Sequence, residues 1–458
     1  MYMKALKKYL SLGLGIVMIG SALVGCGGTS NKQEAVTEST QSSAPKENVK
    51  AKDVTIRLFI PFSSQEPANK PTQEVVNQFM ADHPNIKVEL EVQSATQYHD
   101  KLKTEIASDT LANVFVSWGG SELVEAVRAG KVMDLTEMLE ADPAFKEGFL
   151  PSSLTATNVT YADIPGLWGM PLSNVAAGFY YNKDLFKQAG VEPPKTWEEM
   201  YEVIEKLKLI DTIPIAIGGK DGWRVEHFYS QVFYSWNGVQ KSKDLANRTM
   251  KYADEGATKP WEVMLKIKDM GGFGPDPASV DFGMEQNLFK TGKAAMNFSL
   301  SAFAETFAGA ESEIKEVVGF FPAPIFAEKP EFEGSIFAGG DCALNVAANQ
   351  SPEELEASYK LVKALAGKEG QSVYLNSNAL LMTRKDLESD PSKVNPLMIE
   401  FSSYLESAKE FETDVTNPDP VSSMLNKIRS VATAVINGQL TPEQAGKELD
   451  DEIKKNEE

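Results

Sequence analysis

Apolar and charged residues alternate along Ile86-Lys87-Val88-Glu89-Leu90-Glu91-Val92, a period of two that predicts a strand. Val54-Thr55-Ile56-Arg57-Leu58-Phe59-Ile60 predicts a strand before it, and Val114-Phe115-Val116-Ser117-Trp118 a third that stops at Gly119-Gly120. Between them the period lengthens to that of a helix. Val75, Val76, Phe79 and Met80 share one helical face, and residues 97–108 predict a second helix. The order β-α-β-α-β implies a largely parallel sheet covered by helices. Ligands of such sheets bind beyond the carboxyl ends of the strands, here residues 61–67, 93–96 and 117–121.

A second set of elements begins near Gly178, with a short strand over 178–182 and another over 213–217 that also ends in glycines, Gly218-Gly219. Thr196-Trp197-Glu198-Glu199, Ser351-Pro352-Glu353-Glu354 and Thr441-Pro442-Glu443-Gln444 have the spacing of capping boxes and mark helix starts. The last two place proline at the first helical position, where its missing N–H costs nothing. The C-terminal third predicts helices over 353–366, 368–375, 394–410, 421–436 and 443–455. No solenoid-period repeat interrupts this order.

At the N-terminus, Lys4, Lys7 and Lys8 precede an apolar run over 10–24 that is too short to span a bilayer and ends in small residues before Cys26. This resembles a bacterial lipoprotein signal. The resemblance implies a leader over 1–25, diacylglycerol on the Cys26 thiol, and a mature chain tethered to the outer face of the cell membrane. Residues 26–52 are polar, with too little apolar surface to offset the entropy of ordering, and predict a flexible stalk.

The remaining chain has the composition of a soluble globular protein, 42% hydrophobic and 24% charged, and its length of 458 residues suggests two domains. A net charge of −20 argues against nucleic acid and highly anionic ligands as partners. With Cys26 acylated, Cys342 has no partner for a disulfide and reads as a small buried residue. His83, His99 and His227 stand at unrelated spacings, so no metal site and no cofactor are expected from the sequence.

Gly166-Leu167-Trp168-Gly169-Met170-Pro171-Leu172, then Gly178-Phe179-Tyr180-Tyr181-Asn182-Lys183-Asp184-Leu185-Phe186, then Ala189-Gly190-Val191-Glu192-Pro193-Pro194-Lys195-Thr196-Trp197 resemble the extracellular solute-binding proteins of carbohydrate ABC transporters, the maltodextrin-binding-like group. Leu288-Phe289-Lys290-Thr291-Gly292-Lys293-Ala294-Ala295-Met296, Gly319-Phe320-Phe321-Pro322-Ala323-Pro324 and Asn437-Gly438-Gln439-Leu440-Thr441-Pro442 extend the likeness. It implies an α/β fold of two lobes with a helical C-terminal part, joined by crossing segments at 171–177 and 321–325. Lobe one would hold 53–172 and 323–350, and lobe two 173–322 and 351–458. It further implies a monomer without enzymatic activity that captures a carbohydrate between its lobes and passes it to membrane permease subunits.

A sugar presents hydroxyls around apolar C–H faces, so its site needs flat aromatics flanked by carboxylates, amides and backbone N–H groups. Trp118 with Gly119 and Gly120, Trp223 after Gly218-Gly219, Gln65 and Glu66 after the first strand, and Asp341 beside Gly339-Gly340 are the candidates at strand ends. Trp168, Phe303 and Asn376 complete the set, while Trp197, Trp236 and Trp261 read as core. Residues 297–303 lack the glycine and tryptophan usual in the family, and the 421–436 helix offers Met424, Leu425 and Ile428 where maltodextrin binders carry an aromatic. A shorter or differently linked saccharide, or a sugar derivative, is therefore expected. Two alternatives are a non-carbohydrate solute such as a polyamine and a surface polysaccharide-degrading enzyme. The enzyme lacks a Gly-x-Ser-x-Gly, His-Glu-x-x-His or phosphate-loop motif to support it.

Overall fold

In the computed structural model, residues 52–457 are described apart from 65, 119–120, 157–163, 388–389, 391 and 422. The leader, Cys26, Gln65, Gly119 and Gly120 lie outside the described residues. The strands are β1 (Val54–Ile60), β2 (Ile86–Val92), β3 (Val114–Ser117), β4 (Met170–Pro171), β5 (Asn174–Asn182), β6 (Ile213–Ala216), β7 (Ala294–Leu300), β8 (Val318–Phe321), β9 (Ser335–Gly340), β10 (Ala343–Val346) and β11 (Glu410–Glu412). They form two mixed sheets, each flanked by helices, in a two-lobed α/β fold of the periplasmic-binding-protein type with a helical C-terminal region.

The first sheet runs β2-β1-β3-β10-β4. β1 pairs in parallel with β2 from Val54↔Ile86 to Ile60↔Val92, and with β3 at Leu58↔Val114. β10 then returns antiparallel to both β3 and β4. The parallel half is as expected from the helices intervening in sequence. The antiparallel half arises because β10 enters from the other lobe, and that long-range return has no local signature.

The second sheet runs β11-β9-β5-β7-β6. β5 is its spine, longer than the expected 178–182 strand because residues 174–176 also pair. β7 borders one edge of β5, while β9 and β8 share the other, β9 along Asn174–Ala176 and β8 along Phe179–Asn182.

Each sheet has its own apolar core, one around Phe59, Phe115 and Leu344 and the other around Phe179, Trp197 and Trp261. Among the described residues the chain passes between them three times, near residues 172–174, 340–342 and 380–381. Backbone hydrogen bonds tie the crossings together: Asp341 N donates to Ser173 O (2.9 Å), Leu172 N to Cys342 O (2.8 Å) and Asn174 N to Leu381 O (2.9 Å). Gly339 holds φ +143° as β9 ends at the second crossing, a conformation that side-chain-bearing residues rarely adopt.

Residues 321–325, implied by the resemblance as a crossing, lie beside the second sheet, where Ile325 exchanges backbone hydrogen bonds with Lys195 and Trp197 (3.1 and 2.9 Å). Pro322 and Pro324 end β8 there without sending the chain across. Likewise the Pro352–Ala366 and Lys368–Asn376 helices pack in the first core through Leu361, Leu365 and Tyr374, whereas 351–458 had been expected with the second.

Two of the capping boxes form as patterned. Ser351 and Glu354 satisfy each other's backbone N–H groups, and Thr441 and Gln444 do the same at 2.9 and 3.3 Å. At Thr196 the hydroxyl accepts from Glu199 N, but the Glu199 carboxylate reaches one residue further back, to Lys195 N (2.7 Å). Trp197 and Trp261 are buried in the second core, and Trp236 packs partly buried against it.

Candidate functional site

A cavity of about 1090 Å³ opens between the two sheets, lined on one side by the loops after β1, β2 and β3 and on the other by those after β6, β7 and β11. Glu66, Trp118, Trp223, Phe303 and Asp341 all line it.

Trp118 stands at the carboxyl end of β3, held there by Tyr98. The Tyr98 hydroxyl donates to Val116 O (2.5 Å) and accepts from Val116 N (3.0 Å). The indole stacks on His99, with ring centroids 4.4 Å apart and planes at 25°, and meets Tyr98 edge-on at 5.6 Å. Across the cavity, Trp223 opens the Gly222–Asn237 helix and packs edge-on against Phe282 (4.8 Å) and His227 (5.2 Å). Phe303 is 8% exposed and packs edge-on to Phe282 at 4.9 Å, so it backs the wall more than it faces the space.

Asp341 sits at the second crossing. Its Oδ2 accepts from the Ser173 hydroxyl (3.1 Å) and the Cys342 thiol (3.4 Å). Burial pushes its carboxyl up to about 6, although both hydrogen bonds favour the ionised form. Burial and the charge of Asp341 raise Glu66 as well. The crossing thus presents two carboxyls that resist sharing negative charge and gain from any group donating hydrogen bonds to them. Cys342 is buried beneath them with its thiol pushed well up, which removes nucleophilic character.

Two nominated residues lie outside the cavity lining. Trp168 packs half-buried against the first core, and its carbonyl accepts from Asn345 Nδ2 (2.7 Å). Asn376 ends its helix and its side chain accepts from Asp390 N (3.3 Å).

The second wall contains groups that sequence reasoning missed: His227 and Arg429 on helices, and Asp414 just past β11. His227 Nε2 lies 3.3 Å from Asp414 Oδ1 and 3.9 Å from Glu226 Oε2, while Arg429 Nη2 lies 3.8 Å from Asp414 Oδ2. Glu226 is held by the Ser230 hydroxyl (2.6 Å), which itself accepts from Val415 N (3.1 Å). Burial, followed by the adjacent Asp414 charge, raises Glu226 well above the usual carboxylate range. Burial lowers His227, while for Asp414 the neighbouring His227, Glu226 and Arg429 outweigh burial and lower it. Only tertiary folding joins these residues, so no local motif could have found them.

Behind Trp223, Arg224 and Glu285 form a fully buried ion pair, Nη2 to Oε1 at 2.8 Å and Nε to both oxygens at 3.1 Å. Glu285 also accepts from Gly218 N (2.5 Å) and Asn297 Nδ2 (2.7 Å). Asn297 falls in the stretch that departs from the family pattern, and its amide braces this carboxylate.

Residues 63–372 match the family model described as bacterial extracellular solute-binding protein, and the chain belongs to that family. It is 26% identical over 290 residues to an uncharacterized ABC transporter extracellular-binding protein of Pyrococcus horikoshii, spanning 62% of this chain and 64% of that one. With the multiple sugar-binding protein of Streptococcus mutans it shares 24% identity over 86% of this chain and 87% of that one. A solved chitin oligosaccharide binding protein superposes with a TM-score of 0.81 at 24% identity, over 89% of this chain and 100% of that one, which is a likeness of fold. Family and fold are those of solute-binding receptors, not of catalysts.

Proposed function

We propose that this chain is the substrate-binding component of an ABC importer, capturing a carbohydrate, an oligosaccharide or sugar derivative, by lobe closure and delivering it to the membrane permease. The observation that carries this reading is the cavity between two separately cored lobes, with Trp118 on one wall and Trp223 on the other. Two aromatic faces suit the C–H faces of sugar rings, and Glu66, Asp341 and Asn417 suit the hydroxyls between them. The sugar-binding and chitin-oligosaccharide-binding names of the two relatives above point the same way. The volume is at the upper end of small-molecule pockets, which favours more than one sugar unit.

The two separate cores support closure of the lobes as rigid bodies. The lobe division that fits them assigns 53–172 and 342–380 to one lobe, and 173–341 and 381–457 to the other, with three extended crossings as the hinge. Contacts available only when both walls touch the solute favour the closed state. A shift from 1:99 to 99:1 needs about 5.5 kcal/mol of such preference. A lipid on Cys26 would hold this receptor at the outer face of the cell membrane, beside its permease, with 27–52 as tether.

The raised carboxyls of Glu66 and Asp341 favour one second reading, a polyamine whose ammonium groups would neutralise them. Thermal unfolding of the purified chain against mono-, di- and oligosaccharides, polyamines and phosphate esters separates the readings. A saturating saccharide at a hundredfold excess over Kd stabilises by about 2.7 kcal/mol. Silence across all saccharides beside a response to polyamine overturns the carbohydrate reading.

A further inference from the structure

Glu226, His227 and Asp414 bring two carboxylates and an imidazole together at the cavity wall, each offering one ligand atom, all within 4.8 Å of one another. Glu226 is fully buried, and its Oε2 has no hydrogen-bond partner among the described residues; Asp414 is half-buried beside it, with Oδ1 3.3 Å from His227 Nε2. Buried polar atoms are almost always satisfied, so an unpaired Glu226 oxygen beside the His227–Asp414 pair calls for a cation. The geometry points to a divalent transition-metal site here, with Zn2+ as the fitting ion, bound by Glu226 Oε2, His227 Nε2 and Asp414 Oδ1.

Bonds of about 2.0–2.1 Å in a tetrahedron separate neighbouring ligand atoms by roughly 3.3 Å. His227 Nε2 and Asp414 Oδ1 are already 3.3 Å apart, and Glu226 Oε2 is 3.9 Å from the same nitrogen. The three ligand atoms lie within 4.8 Å of one another, so the carboxylates must draw inward to close the set. One contact orients a ligand carboxylate, while His227 Nδ1 has no hydrogen-bond partner among the described residues. Ser230 fixes the other oxygen of Glu226 at 2.6 Å, and Arg429 lies 3.8 Å from the other oxygen of Asp414. Imidazole with carboxylates suits Zn2+ or Mn2+ better than the all-oxygen preference of Ca2+ or Mg2+. His227 and Asp414 line the cavity, so the cluster is reached from the space proposed for the solute. Metal binding itself does not depend on the carbohydrate reading, since it is measured without solute.

The alternative occupant is a proton shared between the two carboxyls, and Glu226→Gln distinguishes them, because an amide N–H still bridges to Asp414 but cannot ligate in place of the carboxylate. The test is calorimetric titration of Zn2+ into the full chain, stripped with chelator and free of solute, for the native sequence, Glu226→Gln and Asp414→Asn, with circular dichroism to verify folding. One equivalent of Zn2+ in the native chain, weakened at least tenfold in each folded variant, supports the site. No stoichiometric uptake by the native chain, or uptake equally tight in the variants, overturns it. Asp414→Asn supplies the comparison should Glu226→Gln fail to fold.

Discussion

Arg224 and Glu226 sit two residues apart on one helix and meet opposite surroundings. Arg224 faces Glu285 in a network where both carboxylate oxygens accept several hydrogen bonds. Glu226 faces His227 and Asp414 with one oxygen unsatisfied. Both side chains are buried and charged by type, so burial alone does not tell a structural polar group from one built to receive something. Satisfaction does. The Glu285 carboxylate behind Trp223 has both oxygens paired, which fits a brace, although Arg224 Nη1 is left without a partner among the described residues; the Glu226 carboxylate beside the cavity keeps one oxygen unpaired, which fits a site.

The largest expected effect breaks the Arg224–Glu285 network. Glu285→Ala leaves Arg224 charged and unpaired in the core and destabilises the fold by about 3–5 kcal/mol, read from denaturant unfolding. A loss under 1 kcal/mol would remove the distinction between brace and site.

Next comes Asp341. Its folded-state value near 6 lies above the ordinary 3.8, so the stability it contributes is present below about pH 4 and is lost as pH rises to about 6. Asp341→Asn is therefore expected to stabilise the unliganded protein by about 2–3 kcal/mol at pH 7, with the gain fading towards pH 4. Because hydroxyl donors prefer the ionised carboxyl, native affinity for a neutral saccharide should fall as pH drops below 6. Affinity flat from pH 7 to 5 would take Asp341 out of the site.

The smallest effect sharpens the comparison at Glu226. In metal-free protein its raised value gives the same sign, so Glu226→Gln is neutral or stabilising by about 1 kcal/mol at pH 7, fading in acid. A large destabilisation would place Glu226 with Arg224 as a brace.

Local chemistry explains which of these features were legible beforehand. β1 to β3 were readable because their own residues carry the alternation or apolar run that burial requires, and the capping boxes because four residues decide them. The crossing at 340–342 carries no local signal beyond a plain Gly-Gly strand end, and 321–325 had been implied only by the family resemblance. Trp118, Trp223 and Asp341 were legible as cavity residues because each follows a strand into a glycine-bearing turn or crossing. Trp168 lies next to a crossing yet packs into the first core, which sequence proximity does not reveal. Asp414 and Arg429 were not nominated because they reach His227 only after the C-terminal helices return to the second sheet.

One solute gripped from both walls is the central claim, and isothermal titration of the saccharide found in the unfolding screen tests it directly, with native chain, Trp118→Ala and Trp223→Ala compared. Each indole should contribute about 2 kcal/mol of apolar contact. Both variants should therefore bind at least tenfold more weakly while remaining folded. Unchanged affinity in either one would mean that a single lobe holds the solute, and would contradict closure around it.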